Sequence, residues 1–534
     1  MDNNQNCEPP FASSEQNNPE YTQPNYTDYY KNHFDTRSGS DEVKEVATGG
    51  KGAMLVFLAW GLCMLCVEVF AFGGMGLSIP ISAAALYAVS AWFFPERGIR
   101  VPKTSLFLLI PIALLAASFI FIDSTMSNVI TLLVLVTFIP VQLAYMNGYD
   151  KEPPFSAGMV GDILKWTFLK PFQFFDMPFH ALAGTNKNDT KNNTAVKVLL
   201  GILVSIPVAW IFLALFSSAD EIFKEFLHDI IEKSGIDFSH VLIDAILGAV
   251  IAIYVAAWFI ALKGMKNTAL REKSKSKGLD TVILSSFLGT INVVQILFVI
   301  IQLRYFFNNE QRSKSDVTRY ARSGFFELCW AAAIAAVIIG LTIILCRKKD
   351  DGKLPLPVSI SITVLILCNY IIFASAINRM ILYIADQDMT LKRLLTMWLM
   401  VLFALCFAGA LLRVWLKKFR IFPWVAVCVV GMTLALNLAN IDQRVAEYNV
   451  NQYLNSKKDG EYTKTLDFSI FYTLEASAAP HVAKLIDENT QYSSNAQRLI
   501  EYYYRGISKK TWRNYTVNDA LTKSTLEKYC TKNQ

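Results

Sequence analysis

N-V-V-Q-I-L-F-V-I-I-Q-L-R-Y-F-F occupies residues 292–307, and Y-A-R-S-G-F-F-E-L-C-W follows at 320–330 across a short polar stretch. The first piece is apolar, punctuated by amides, and closes on an arginine and aromatic residues. The second piece reopens an apolar run. Together they predict the end of one membrane helix, a charged and aromatic turn, and the start of the next. The same alternation repeats outward in both directions. A helix rises 1.5 Å per residue, so about 20 apolar residues cross ~30 Å of hydrocarbon. Runs of that kind lie near 53–72, 77–94, 105–122, 128–146, 195–216, 240–262, 282–303, 325–346, 357–376, 394–416 and 421–439. The expectation is an all-α, polytopic membrane bundle of about 11 transmembrane helices with a small helical C-terminal domain.

Composition agrees with that class. The chain is 53% hydrophobic and 18% charged, where an average soluble protein carries about 25% charged residues. The net charge of +6 sits in loops, with no basic folded domain, so no nucleic-acid partner is expected. Cys63 and Cys66 form a C-x-x-C. That spacing suits a redox pair or half a metal site. It equally suits two small apolar residues of a span, the preferred reading, because no second C-x-x-C or histidine pair accompanies it. The five histidines are scattered. No metal and no cofactor are expected. Phosphate-loop, dinucleotide, zincin and nucleophile-elbow motifs are absent, and no paired aspartates sit in mid-span, so no enzymatic activity is expected.

The chain divides into five parts. Residues 1–50, rich in Asn, Gln, Tyr, Pro and Ser, cannot bury enough apolar surface to order and are expected to form a disordered cytoplasmic tail. Residues 51–146 hold the first four spans, as two hairpins. Residues 147–194 form a cytoplasmic loop in which Trp166, Phe168, Phe172, Phe174, Phe175 and Phe179 mix with Lys165 and Lys170. Such a mixture suits the headgroup region, although Pro171 and Pro178 interrupt any helix. Residues 195–440 carry the remaining spans, with a short amphipathic helix expected at 217–239. Residues 441–534 lack apolar runs and are expected to form an extracytoplasmic helical domain, with helices at 441–454, 468–486 and 496–504. With the N-terminus inside, interior loops hold 22 Lys and Arg against 10 in exterior loops. That bias predicts an N-inside, C-outside chain, strained only by the basic loop 304–324.

Polar side chains at membrane depth are costly and are functional candidates by default. Ser285, Asn292, Gln295 and Gln302 fall within about a 100° arc of one helix. They line a polar substrate path or they hydrogen-bond neighbouring helices, the second at about 0.6–2 kcal/mol per bond. Glu68, flanked by Val67, Val69 and Phe70, is a candidate proton-coupling carboxylate. Arg304, Arg319, Arg322, Glu327 and Arg379 form a charge cluster at the predicted outer edge.

Several of these stretches also resemble a known family. L-F-S-S-A-D at 215–220, Q-L-R-Y-F-F at 302–307, Y-A-R-S-G-F-F-E-L at 320–328, R-M-I-L-Y-I-A-D-Q-D-M-T-L-K-R-L-L-T-M-W at 379–398 and N-I-D-Q-R-V-A-E-Y-N-V-N-Q-Y at 440–453 occur in that order along the chain. They resemble a bacterial family of polytopic membrane proteins known as a domain of unknown function, number four-one-seven-three. Asp386 to Asp388 depart from the glycine-containing turn expected there. The resemblance implies a fold and a bacterial cytoplasmic membrane address, and carries over no catalytic or binding residue.

Three functions remain open on these grounds, one of them a membrane enzyme acting on lipid or cell-wall precursors through a polar cluster at Arg304, Arg319, Arg322, Glu327 and Arg379. The helix count and the amide stripe favour a transporter or permease. The tail, the C-terminal domain and the scarcity of mid-membrane charge favour a non-enzymatic envelope sensor or scaffold. The expected partners are the lipid bilayer and a protein at the N-terminal tail or the C-terminal domain.

Overall fold

The computed structural model describes residues 50–72, 75–94, 103–147, 156–183, 238–264, 279–307, 325–347, 353–416, 418–458, 461–512 and 514–530. Apart from their connections the described residues are helical, with one short antiparallel hairpin, Lys457–Lys458 with Glu461–Tyr462, and an isolated parallel bridge between Leu279 and Cys346. Helices α1 (Gly50–Phe72), α2 (Ser78–Phe93), α3 (Lys103–Phe121) and α4 (Thr125–Met146) form two hairpins. A broken helical segment follows: α5 (Ala157–Leu164), a π-turn at Lys165–Leu169, α6 (Lys170–Gln173) and α7 (Met177–Ala183). Then come α8 (Phe238–Gly264), α9 (Thr281–Phe307), α10 (Phe325–Leu345), α11 (Leu356–Gln387), α12 (Leu391–Trp415) and α13 (Ile421–Ala439). Among the described residues, six helices are long and apolar enough to cross a membrane, and four shorter apolar helices accompany them. The span expected at 195–216 and the amphipathic helix expected at 217–239 lie outside the described residues.

The apolar helices assemble into two groups joined by α13. In the first, α8 packs along α1, with Phe93, Phe94 and Phe259 meeting edge-on or tilted within 6.0 Å. Gly248 is the point of closest approach, since a Cβ there would stand 3.1 Å from Met64 Cγ and 3.2 Å from its backbone nitrogen. The broken segment caps one end of this group. Pro171 sits in the first turn of α6, where its missing N–H costs nothing. Tyr254 of α8 donates to Thr167 O at 2.8 Å, and Lys170 lies 5.3 Å over the Trp166 ring. Phe168, Leu169, Phe172, Phe175 and Phe179 stay exposed on it. In the second group α11 is the central helix, with Leu365, Ile366 and Ala376 fully enclosed among α9, α10 and α12. Helix α13 packs on α12 and also on α3 and α4. Gly409 admits the Trp424 ring between α12 and α13, and Trp424 Nε1 donates to Leu405 O at 2.8 Å.

Chain ends sort onto two faces. The α3–α4 turn, the α11–α12 turn and the end of α13 all meet the C-terminal domain. The ends of α4 and α8 meet on the other face, where Asn147 Nδ2 donates to Leu262 O at 2.6 Å. This sidedness is what alternating spans require. The C-terminal domain comprises α14 (Ile441–Leu454), 3-10 turns at Phe468–Thr473 and Ala476–Ala478, α15 (Ala479–Asp487), α16 (Ser493–Lys509) and α17 (Val517–Cys530). The helix expected at 441–454 matches α14. The one expected at 468–486 begins as 3-10 turns because Pro480 lies too early to be helix interior and instead sits in the first turn of α15. The core of this domain takes in Leu391 and Leu436 from α12 and α13, so it is continuous with the bundle.

Candidate functional site

The most concentrated buried polar chemistry lies where the C-terminal domain meets the α3–α4 turn. Ile122, Asp123 and Ser124 make that turn, and all three are buried. Asp123 Oδ2 lies 2.8 Å from Lys510 Nζ. The same ammonium donates to both oxygens of Asp519, at 2.8 and 3.0 Å. Lys510 closes α16, and Asp519 lies in the first turn of α17. Thr516 and Asp519 cap that turn reciprocally, Thr516 N donating to Asp519 Oδ2 at 2.9 Å and Asp519 N to Thr516 Oγ1 at 3.1 Å. One lysine therefore fastens two C-terminal helices to a membrane hairpin.

A third carboxylate, Asp442, sits nearby in the first turn of α14, where the helix dipole suits negative charge. Its Oδ1 accepts from Glu475 N at 3.1 Å, and the Ser124 hydroxyl lies against it. Thr125, the first residue of α4, donates to the Glu475 carboxylate. Behind these groups Asn437 of α13 ties the hairpin to the bridging helix. Its Nδ2 donates to Ser118 Oγ at 2.8 Å and Thr131 Oγ1 at 3.0 Å, and its Oδ1 accepts from Ser127 Oγ. Asn440 then takes φ 46°, a left-handed conformation that asparagine tolerates, and turns the chain from α13 into α14.

The electrostatics follow from two linked pairs of carboxylates: Asp123 and Asp519, which meet the Lys510 ammonium, and Asp442 and Glu475 beside them. Burial pushes the Asp123 carboxyl up to about 7; Lys510 opposes this, while Asp519 and Glu475 add to it. Burial likewise pushes Asp442 up to about 6, opposed by the nearby Ser124 hydroxyl and by the hydrogen bond from Glu475 N. Burial works against the charge of Lys510, but Asp123 and Asp519 outweigh it and hold the ammonium above its ordinary range. Tyr503, donating to Phe471 O at 2.6 Å, is held above the usual phenol range by burial and by the nearby Asp442 and Glu475. The carboxyls of Asp123 and Asp442 are both moved toward neutral pH.

A second clamp holds the α11–α12 turn. Asn449 of α14 pairs with the backbone of Met389, accepting from its N at 2.7 Å and donating to its O at 2.8 Å. Asp388 takes φ 62° and ψ 164°, a conformation that glycine alone adopts cheaply. It is kept there because Asp467 N donates to its carboxylate at 3.1 Å and Arg393 donates to its carbonyl. Arg393 also lies 4.0 Å over the Tyr383 ring. Thr390 caps α12 as its spacing suggests, accepting from Arg393 N at 3.4 Å.

The residues singled out by sequence fall elsewhere. Asn292 is buried and donates to Ser361 O at 2.9 Å. Gln295 accepts from Asn369 of α11 at 3.0 Å. Ser285 bonds Val282 O at 3.2 Å within its own helix. Asn292 and Gln295 thus face α11 and bond across that interface. Glu68, Gln302, Arg304 and Glu327 lie on helices, but their side chains are outside the described residues, as are Arg319 and Arg322 entirely. Arg379 is buried within α11. Sequence reading missed Asp123, Asp442, Lys510 and Asp519. One signal was available: Asp123 is the only charged residue between Lys103 and Asp150.

A family model described as a domain of unknown function (DUF4153) matches residues 109–485. The chain belongs to that family. This corrects the family number inferred from the short motifs. Those motifs combine Arg, Tyr, Phe and Trp at membrane edges, a composition shared by interfacial segments in general, and do not separate one such family from another. No curated protein and no solved structure matches the chain.

Proposed function

We propose that this member of the DUF4153 family is a non-enzymatic membrane sensor or scaffold that acts through its C-terminal domain. The observation that carries the reading is the Lys510 junction. A half-buried ammonium, shared between Asp123 of a membrane hairpin and Asp519 of the C-terminal domain, makes the docked position of that domain depend on local charge. Buried ion pairs add little net stability compared with apolar packing and are best attested as devices that fix one arrangement or switch between two. In the proposed orientation the chain crosses a bacterial cytoplasmic membrane about 11 times, N-terminus inside, and presents the docked domain outside. The transporter reading has less support, because Asn292 and Gln295 are engaged with α11.

The test is complementation of a deletion strain. Chains lacking residues 441–534, or carrying Lys510→Met, are expected to insert at normal abundance and fail to restore the phenotype. Full restoration by the truncated chain would overturn the proposal.

A further inference from the structure

Two apolar crevices flank the first half of α13. One, of about 240 Å³, lies between α13, α4 and the α5–π-turn segment, with Val141, Ile163 and Phe168 on its walls. The other, of about 400 Å³, lies between α13, α10 and α12, with Ile339, Cys406 and Ala410 on its walls. Phe422, Val425 and Val429 of α13 line both. These three side chains are only half-buried, and Val427 on the same turns is 66% exposed. The crevices are on the face opposite the C-terminal domain, since they use the second halves of α4, α10 and α12 and the first half of α13. At that face the chain entering α13 presents Lys418 and Arg420, both exposed, and the neighbouring π-turn presents the exposed Lys165.

We infer that these crevices bind a diacyl anionic phospholipid straddling α13, one acyl chain in each crevice and the phosphate met by Lys418 and Arg420. Three observations support that occupant. The walls carry almost no polar surface, so the ligand portion inside is hydrocarbon. The paired crevices share one ridge, which fits two chains hung from a single headgroup. The rim is basic, which fits an anionic phosphate rather than a zwitterion alone. A free fatty acid would fill one crevice, and a peptide would need partners for its backbone that these walls lack.

Native mass spectrometry of the detergent-purified full chain tests this. The wild type is expected to retain phospholipid enriched in anionic headgroups over the membrane extract. Val425→Trp, which fills both crevices, is expected to lose it. Lys418→Glu with Arg420→Glu is expected to keep bound lipid but lose the anionic enrichment. Because Val425→Trp can disturb folding, melting of the wild type is measured with added dioleoyl phosphatidylglycerol and with dioleoyl phosphatidylcholine. The first is expected to raise the melting temperature by at least ~2 °C more than the second, and the charge-reversed chain to lose that difference. Equal shifts with both lipids, or wild-type lipid content lacking anionic enrichment, would overturn the inference. So would a photo-crosslinker at position 425 that captures this chain's own apolar run at 195–216 in place of lipid.

Discussion

Lys510→Met removes the ammonium that Asp123 and Asp519 share while keeping roughly the length of the side chain. Lys510 is 19% exposed, Asp123 12% and Asp519 0%. Removing one partner of a buried pair costs about 3–5 kcal/mol, because the remaining charge stays buried and unpaired. Here the lower end applies. The ammonium keeps some access to water, and Asp519 retains the Thr516 cap. The expected cost is about 3 kcal/mol, which is ~100-fold at 1.36 kcal/mol per decade. It falls on undocking of α16 and α17 rather than on the bundle. Hydrogen exchange of peptides covering 517–530 reads it directly. At pH 8 the variant is expected to exchange about 100-fold faster than wild type at those amides, with α11 unchanged. At pH 5 Asp123, already pushed up to about 7 with the lysine present, takes up a proton, and the ratio is expected to shrink below ~10-fold. A ratio near one at pH 8, or an equal ratio at both pH values, would refute the assignment of Lys510 as the fastening charge.

The wild-type junction should itself loosen as pH rises. The Asp442 carboxyl is raised from 3.8 to about 6, so the folded chain holds its proton more firmly than the unfolded chain. That contribution is full below about pH 4 and is lost as pH rises through 6, by roughly 3 kcal/mol for two units. Asp123 acts in the same direction up to about 7. Asp442→Asn keeps an oxygen for Glu475 N, and exchange of 517–530 in that variant should depend less on pH between 5 and 8 than in wild type. Gly409→Ala places a Cβ 2.1 Å from Trp424 Cδ1. The indole must move and lose its bond to Leu405 O, so melting should fall by the equivalent of about 2–4 kcal/mol, and Trp424→Leu in the same chain should recover most of it. Asn437→Leu leaves the Ser127 hydroxyl without its acceptor and should cost about 1–3 kcal/mol, seen as lower melting with no change in oligomeric state.

The helices were legible because a span must be continuous and apolar, and each such run can be read one window at a time. The amides of α9 were legible as a stripe for the same reason. Their partners were not, because Ser361 and Asn369 sit on α11, and periodicity within one helix says nothing about which neighbour it faces. The junction was illegible for a related reason. Asp123, Asp442, Lys510 and Asp519 are separated by up to hundreds of residues, and each has an ordinary local reading: a turn residue, a helix-start acid, a helix-end base and a cap. Only the isolation of Asp123 in an apolar stretch hinted at a partner. Asp388 shows the opposite case. The sequence comparison expected glycine there, and the backbone does adopt a glycine-like φ of 62°. The aspartate is tolerated because its carboxylate and carbonyl both bind groups that fix the turn.

The two clamps differ in a way that bears on mechanism. At the α11–α12 turn, Asn449 bonds backbone atoms of Met389 with a neutral amide, so that contact does not respond to pH. At the α3–α4 turn, attachment depends on ionisable groups whose proton affinities burial has moved toward neutrality. On the proposed reading, weakening of the second clamp leaves the domain held through α14, which carries Asn449 and leads directly out of α13. Helix α13 is also the element that joins the two helix groups and, through Asn437, grips the α3–α4 hairpin. A change in charge at Asp123 and Asp442 therefore reaches the bridging helix by a short covalent and hydrogen-bonded route, without any polar path through the membrane. Asp123→Asn together with Asp442→Asn tests this, since both amides keep acceptors for Lys510 and Glu475 N but neither titrates. The double variant should show the same protection of 517–530 at pH 5 and pH 8 and lose the phenotype that docking controls. A double variant with full activity would separate the junction from function.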